Sequence, residues 1–209
     1  MNLGSAVGYR PVGAMQPPEC SRERLIRAAI ELFAKRGYHD TGIADILKES
    51  GCTRGALYYH FSSKEELGYA AIDEEVRLHL EKGAASHLQT KGHAIDRLLK
   101  MLDALHVVTE RGDIGSSPAD MSLRLASVHE GFRKRLTAGL DRVGEQVEET
   151  VHRGVADGQI VDSVDPGQIA HLFLIICGGI HVATLLWERE AILEDARAWL
   201  KEYLNSLRK

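Results

Sequence analysis

The chain has 209 residues and a mass of 23.1 kDa, and its 44% hydrophobic and 27% charged residues give the composition of a folded, soluble globular protein. A largely disordered chain is excluded. Three cysteines, Cys20, Cys52 and Cys177, are too few for a disulfide framework and form no CxxC pair, which points to a reducing cytoplasm. The net charge of −4 is uneven: residues 19–64 hold eight Lys/Arg against six Asp/Glu, and residues 65–209 hold seventeen against twenty-four. A mildly basic segment ahead of an acidic body suits a nucleic-acid-binding head on a non-binding body.

Residues 1–18 carry Gly4, Gly8 and Gly13 among Pro11, Pro17 and Pro18 and read as a flexible tail. No apolar run of signal-peptide length follows a basic start, so secretion is not expected, and translation starts at either Met1 or Met15. From Ser21 the pattern is helical. Leu25, Ile26, Ala29, Leu32 and Phe33 fall on one face of a helix that Gly37 ends. Thr41 opens a short second helix, with Ile43, Ile46 and Leu47 inward and Gly51 as its stop. Thr53 caps a third running to about His60, and Ser63 with Glu66 forms a capping box for a longer fourth. After Gly83 and Gly92, a helix with Ile95, Leu98, Leu99, Leu102 and Leu105 runs to about Val108. Residues 111–117 read as a loop, and Pro118 takes the first position of the next helix. A long pattern spans about Glu130 to Ala156, Asp165-Pro166-Gly167-Gln168 starts another helix, and the last runs from about Ala191 to Ser206. No segment alternates for long like a strand, so the fold class is all-α.

The corner Glu49-Ser50-Gly51-Cys52 between the second and third helices makes a helix-turn-helix. In such a unit the second helix enters a major groove, and a guanidinium at its start, here Arg54, reaches guanine O6 and N7 with two hydrogen bonds. Gly55 removes a side chain where backbone approaches DNA, while Tyr58, Tyr59, His60 and Lys64 offer donors to phosphate. Plainer readings stand beside these: Tyr58 packing the head, Arg54 touching phosphate alone, and Cys52 as an inert packed thiol.

Residues 25–38, Leu-Ile-Arg-Ala-Ala-Ile-Glu-Leu-Phe-Ala-Lys-Arg-Gly-Tyr, resemble the first helix of the tetracycline-repressor (TetR) family of transcriptional regulators. The likeness continues through Thr41-Gly42-Ile43-Ala44-Asp45-Ile46, through residues 51–61, and through Ser63-Lys64-Glu65, about 22–75 in all. It implies a homodimeric, ligand-responsive regulator, most often a repressor, binding a palindromic double-stranded DNA operator. Carried over by position, Thr41 would touch phosphate, Thr53, Arg54 and Gly55 would face bases and nearby backbone, and Tyr58, Tyr59, His60 and Lys64 would hold phosphates. Cys52-Thr53 stands where the family usually has an aliphatic residue and Ser, and Leu47 where a small residue is common. The expected division is a tail at 1–18, a DNA-binding head at 19–64, and a ligand-binding and dimerising body at 65–209.

Other chemistry is not supported. The ten histidines are never three or four residues apart, and H-E-x-x-H, G-x-S-x-G, Walker and G-x-G-x-x-G motifs are absent. Neither an enzyme nor a metal or cofactor is expected. Residues 169–187 carry no formal charge over nineteen positions, long enough for a membrane span. His171, His181, Thr184 and Gly178-Gly179 argue instead for a helix buried between its own core and a second copy. The resemblance implies that use, pairing the last two helices across a two-fold axis without a membrane. A small-molecule effector would sit in an apolar pocket of the body, with His106, Met121, Phe173 and Cys177 as wall residues by type and location.

Overall fold

The computed structural model describes residues 22–110, 118–186 and 190–209, with the side chains of 106–110, 118–119, 184–186 and 190 left aside. The tail at 1–18 and the loop expected at 111–117 lie outside the described residues. Nine α-helices form among those described, and no strand does; a lone antiparallel bridge joins Ile160 to Arg208. The all-α expectation is met.

Three helices build the head: α1 (Arg22–Arg36), α2 (Ile43–Ser50) and α3 (Arg54–His60). Their apolar faces meet in a core of Leu25, Ala29, Phe33, Ile46, Leu57 and Phe61, each at most 2% exposed. The α2–α3 corner turns at Gly51, whose φ of 65° is a conformation that L side chains avoid. Arg24 of α1 fixes that corner by donating to the Ser50 carbonyl at 2.5 Å. The head's core does not stop at α3. It continues through Leu67, Ala71, Ile72 and Val76 of α4 (Lys64–Glu75) and its extension, then into Met121, Leu125 and Phe132 of two body helices.

The body comprises α5 (Ala94–Glu110), α6 (Pro118–Val128), α7 (Glu130–Ala156), α8 (Pro166–Leu186) and α9 (Glu190–Ser206). The long α7 runs through the middle, packed on α4, α5, α6 and α8. A second apolar core, including Ile95, Leu98, Val147, Phe173 and Leu204, joins α5, α7, α8 and α9.

Most helix starts fall where local chemistry puts them. The Thr53 hydroxyl accepts from the Ala56 N–H at 3.2 Å, Ser63 from Glu66 at 3.0 Å, and Asp165 Oδ1 from Gln168 at 3.0 Å. Two details differ from expectation. Gly42, not Thr41, is the N-cap of α2, with its N–H bonded to Asp45 Oδ2 at 2.9 Å. Past Glu75 the α4 axis continues as a π-helical turn, Val76–Glu81, followed by a 3₁₀ segment, Ala84–Gln89.

Candidate functional site

Outward from the head core, α3 turns a polar face to solvent. Ala56 and Leu57 are buried, which sends Thr53, Arg54, Gly55, Tyr58 and Tyr59 outward, the two tyrosines 50% and 83% exposed. A tyrosine ring left that open gains no burial, so packing does not explain it. His60 is half-buried with its ring centroid 5.0 Å from that of Tyr59. A Cβ built on Gly55 would meet only the Thr53 hydroxyl, at 4.0 Å, so the backbone there is open to a close approach. The structure therefore gathers Thr53, Arg54, Gly55, Tyr58, Tyr59 and His60 on one short helix.

Thr41 and Lys64 are placed differently from the phosphate role expected of them. Thr41 is fully buried, and its hydroxyl donates to the Gly37 carbonyl at 2.8 Å, locking the α1–α2 link. A group with no exposed surface cannot meet a phosphate, so Thr41 is corrected to a structural residue. Lys64 Nζ donates to the carbonyls of Tyr38 at 2.8 Å and Thr41 at 2.9 Å and lies 4.2 Å from the Tyr38 ring centroid. Two of its three N–H donors are thus committed to stapling α4 to the head, and burial lowers its pKa. Cys52, 8% exposed under the turn, is disulfide-bonded rather than the packed free thiol expected.

The body encloses a cavity of about 390 Å³ between the π-helical turn, α5, α6, α7, α8 and α9. That size and its mainly apolar wall are those of a small-molecule site. The wall includes Met101, Leu102 and Leu105 of α5, Leu136 and Leu140 of α7, and Leu174, Cys177 and Gly178 of α8. Polar groups are few: Glu75, His79, Ser122, His181 and Arg197. Glu75 is 4% exposed, and burial, then the neighbouring Glu74 carboxylate, pushes its pKa up to about 8. His79 Nε2 lies 3.5 Å from Glu75 Oε1, and burial pulls that imidazole below its ordinary value. Burial likewise pushes the Cys177 thiol up to about 12, which leaves it neutral and inert. His181 approaches Asp120 at 3.2 Å, and Arg197 donates to Glu194 at 2.6 Å.

Of the wall residues expected from sequence, Cys177 borders this cavity. Met121, 1% exposed, instead packs in the head-side core, and Phe173, fully buried, in the body core. Both are turned inward by the same apolar character that made them candidates. His106 falls outside the described side chains. Glu75 and His79 were missed, although they continue the inward register of Leu67, Ala71, Ile72 and Val76, where a carboxyl is out of place. On α8, Leu174, Cys177, Gly178 and His181 share one face at helical spacing, a second signal available beforehand.

The two sites are mechanically joined. The helix that begins at Lys64, stapled to the head, ends in the π-helical turn that walls the cavity. Phe132 of α7 meets Tyr38 of the head and Tyr69 of α4 edge-on, each at 5.1 Å between centroids, and Arg124 of α6 donates to the Ala34 carbonyl of α1 at 2.5 Å. Among the described residues no cluster of three or more His, Cys, Asp or Glu forms that could hold a metal.

Comparison with known proteins agrees with both halves of this arrangement. Residues 25–71 match the profile of bacterial regulatory proteins of the tetR family, and residues 94–200 match the tetracyclin repressor-like C-terminal domain. The chain is 49% identical over 55 residues to the HTH-type transcriptional regulator LmrA of Bacillus subtilis, a match spanning 26% of this chain and 29% of that protein. It is 27% identical to the HTH-type transcriptional regulator TtgR of Pseudomonas putida over 90% of this chain and 91% of that one. A crystal structure of a TetR transcriptional regulator from Chloroflexus aurantiacus superposes with a TM-score of 0.76 at 29% identity, covering 90% of this chain and 95% of that one. With a helix-turn-helix at the front and the family's C-terminal domain behind it, the chain belongs to the TetR family of DNA-binding transcriptional regulators.

Proposed function

We propose that the protein is a ligand-responsive homodimeric repressor, with a head at 19–64 and a sensing and dimerising body at 65–209. In this reading Thr53, Arg54, Gly55, Tyr58, Tyr59 and His60 contact a palindromic operator. The observation that carries it is the single helical path from the Lys64 staple to the cavity wall at Glu75, Val76, His79 and Leu80. A small molecule that prefers one setting of that path shifts the spacing of two heads by its differential affinity alone. Half-sites would be separated by about 34–36 Å or a multiple of it.

Dimerisation through α8 and α9 is supported by what those helices leave uncovered. Ile175 is 71% exposed, Val182 42% and Trp199 54%, and a Cβ on Gly178 or Gly179 would meet nothing within 4 Å. The α8 window Pro166–Ala183 is long and apolar enough to cross a membrane, with a mean hydropathy of 1.4. Its exposed His171 and its cavity-facing His181 suit a second copy better than lipid. We place the protein in the cytoplasm, with no enzymatic activity. The test is to capture genomic fragments with the purified protein, footprint the site, and titrate metabolite pools against the complex. Release of the operator by a molecule that also binds protein alone supports the reading; tighter DNA binding with every ligand overturns it.

A further inference from the structure

Resting on the reading of the cavity as an effector site, we propose that it takes a lipophilic monocation, an amine or quaternary ammonium, whose positive charge is met by Glu75. The argument begins with the charges around the wall. Arg197 is paired with Glu194, and His181 with Asp120. Cys177 is a neutral thiol, and His79 is held toward its neutral form by burial. Glu75 differs from all of these. Its Oε1 is buried with no hydrogen-bond partner, the His79 imidazole stands 3.5 Å from it, and the carboxylate beside it, Glu74, is engaged by Arg77. A buried polar atom left without a partner in an otherwise apolar cavity is unfavourable until something enters to meet it.

The occupant's chemistry follows from that asymmetry. Burial keeps Glu75 protonated, because an isolated carboxylate is strongly disfavoured away from water. A cation bound beside it reverses the balance: the Glu75 O–H bond breaks, its proton leaves to solvent, and the carboxylate and cation remain as a pair within apolar walls. The hydrocarbon of the ligand takes the surfaces of Leu102, Leu136, Leu140 and Leu174. An anion gains no ion pair from Glu75 in either protonation state, and Arg197 on the same wall already has a carboxylate partner in Glu194. The titratable groups that share the cavity wall with Glu75 are His79 on the π-helical turn, Cys177 and His181 on α8 and Arg197 on α9, with Asp120 of α6 behind His181 and Glu74 and Arg77 beside Glu75 on its own path.

Three probes of one shape separate the possibilities: (1-naphthylmethyl)trimethylammonium, 1-naphthalenemethanol and 1-naphthylacetate, titrated into the full chain by calorimetry from pH 6 to pH 9. The quaternary cation cannot itself titrate. Its affinity is expected to exceed that of the alcohol and to rise up to about tenfold per pH unit below about pH 8, then level off, with one proton released per ligand at low pH. In Glu75→Gln the pH slope and the preference for the cation should both vanish. Equal or tighter binding of the alcohol or the anion overturns the cation assignment and leaves the cavity as an effector site. A slope that persists in Glu75→Gln also overturns it. Failure of all three probes to bind overturns the effector site itself. If Glu75→Gln does not fold, the wild-type slope and the cation-to-alcohol ratio decide alone.

Discussion

Glu75 carries its proton into the folded state, and that has a consequence for stability as well as for binding. Its folded pKa is about 8 against an ordinary 4.5, so between those values the native chain holds more protons than the unfolded one. Native stability therefore falls as pH rises through that window, by on the order of 5 kcal/mol for a fully realised shift. Glu75→Gln should remove that loss and be the more stable protein at pH 8 while nearly matching wild type at pH 4.5; urea denaturation at the two values measures it. The DNA face is tested residue by residue too. Arg54→Ala should cost about 1–3 kcal/mol of operator binding and relax selectivity at one base pair, whereas Tyr59→Phe should weaken all sequences alike. Thr53→Ala removes the cap of a seven-residue helix and should cost about 1 kcal/mol in stability, read by thermal melting. The exposure of Arg54 and Tyr59 was readable in advance because it follows, on a short helix, from spacing to Leu57. Thr41 and Lys64 were not, because their partners are carbonyls 4, 23 and 26 residues away that only the folded α1–α2 link presents.

At the scale of helices, the joint between head and body depends on how closely α7 crosses the α4 path. A Cβ at Gly139 would run into Val76 Cγ1, so the two backbones approach as no side-chain-bearing residue allows. Gly139→Ala forces that crossing open and should cost about 1–3 kcal/mol, as overpacking does. The double variant Gly139→Ala with Val76→Ala should recover part of it, since the methyls removed are those in the way. Urea midpoints of the four proteins give the coupling energy, and full additivity would mean the crossing is not tight. Helix starts such as Thr53, Ser63 and Asp165 were legible because a cap is written within four residues. The π-helical turn was not, since Val76-Arg77-Leu78-His79-Leu80-Glu81 contains ordinary helix formers and nothing local marks a wider turn. The cavity was legible only in part for the same reason: its walls come from seven segments, and Met121 and Phe173 have the residue types of a wall but positions in the core.

For the whole molecule, the unpaired surface of α8 and α9 decides between one head and two. Only 22% of the α8 window is buried within the protomer, although α8 is the most apolar of the long helices among the described residues. Trp199 and Tyr203 stack at 5.5 Å on the neighbouring α9 and extend the same kind of open aromatic surface. If a second copy covers this face, burying Val182 and its neighbours at about 25 cal/mol per Å² of apolar area holds the dimer, and a charge in the middle of it does not fit. Val182→Glu is the informative change, since Ile175 also borders the cavity and would confound ligand binding. The variant should sediment as a monomer with its helical content intact. Its operator affinity should fall about 10²–10⁴-fold, because the second head no longer arrives at the high effective concentration that tethering provides. The residual single-head binding should show roughly half the salt slope of the dimer, since each head releases its own share of counterions from phosphate. A Val182→Glu protein that remains dimeric, or that binds the full operator with wild-type affinity and salt slope, would place the two-fold axis elsewhere on the molecule.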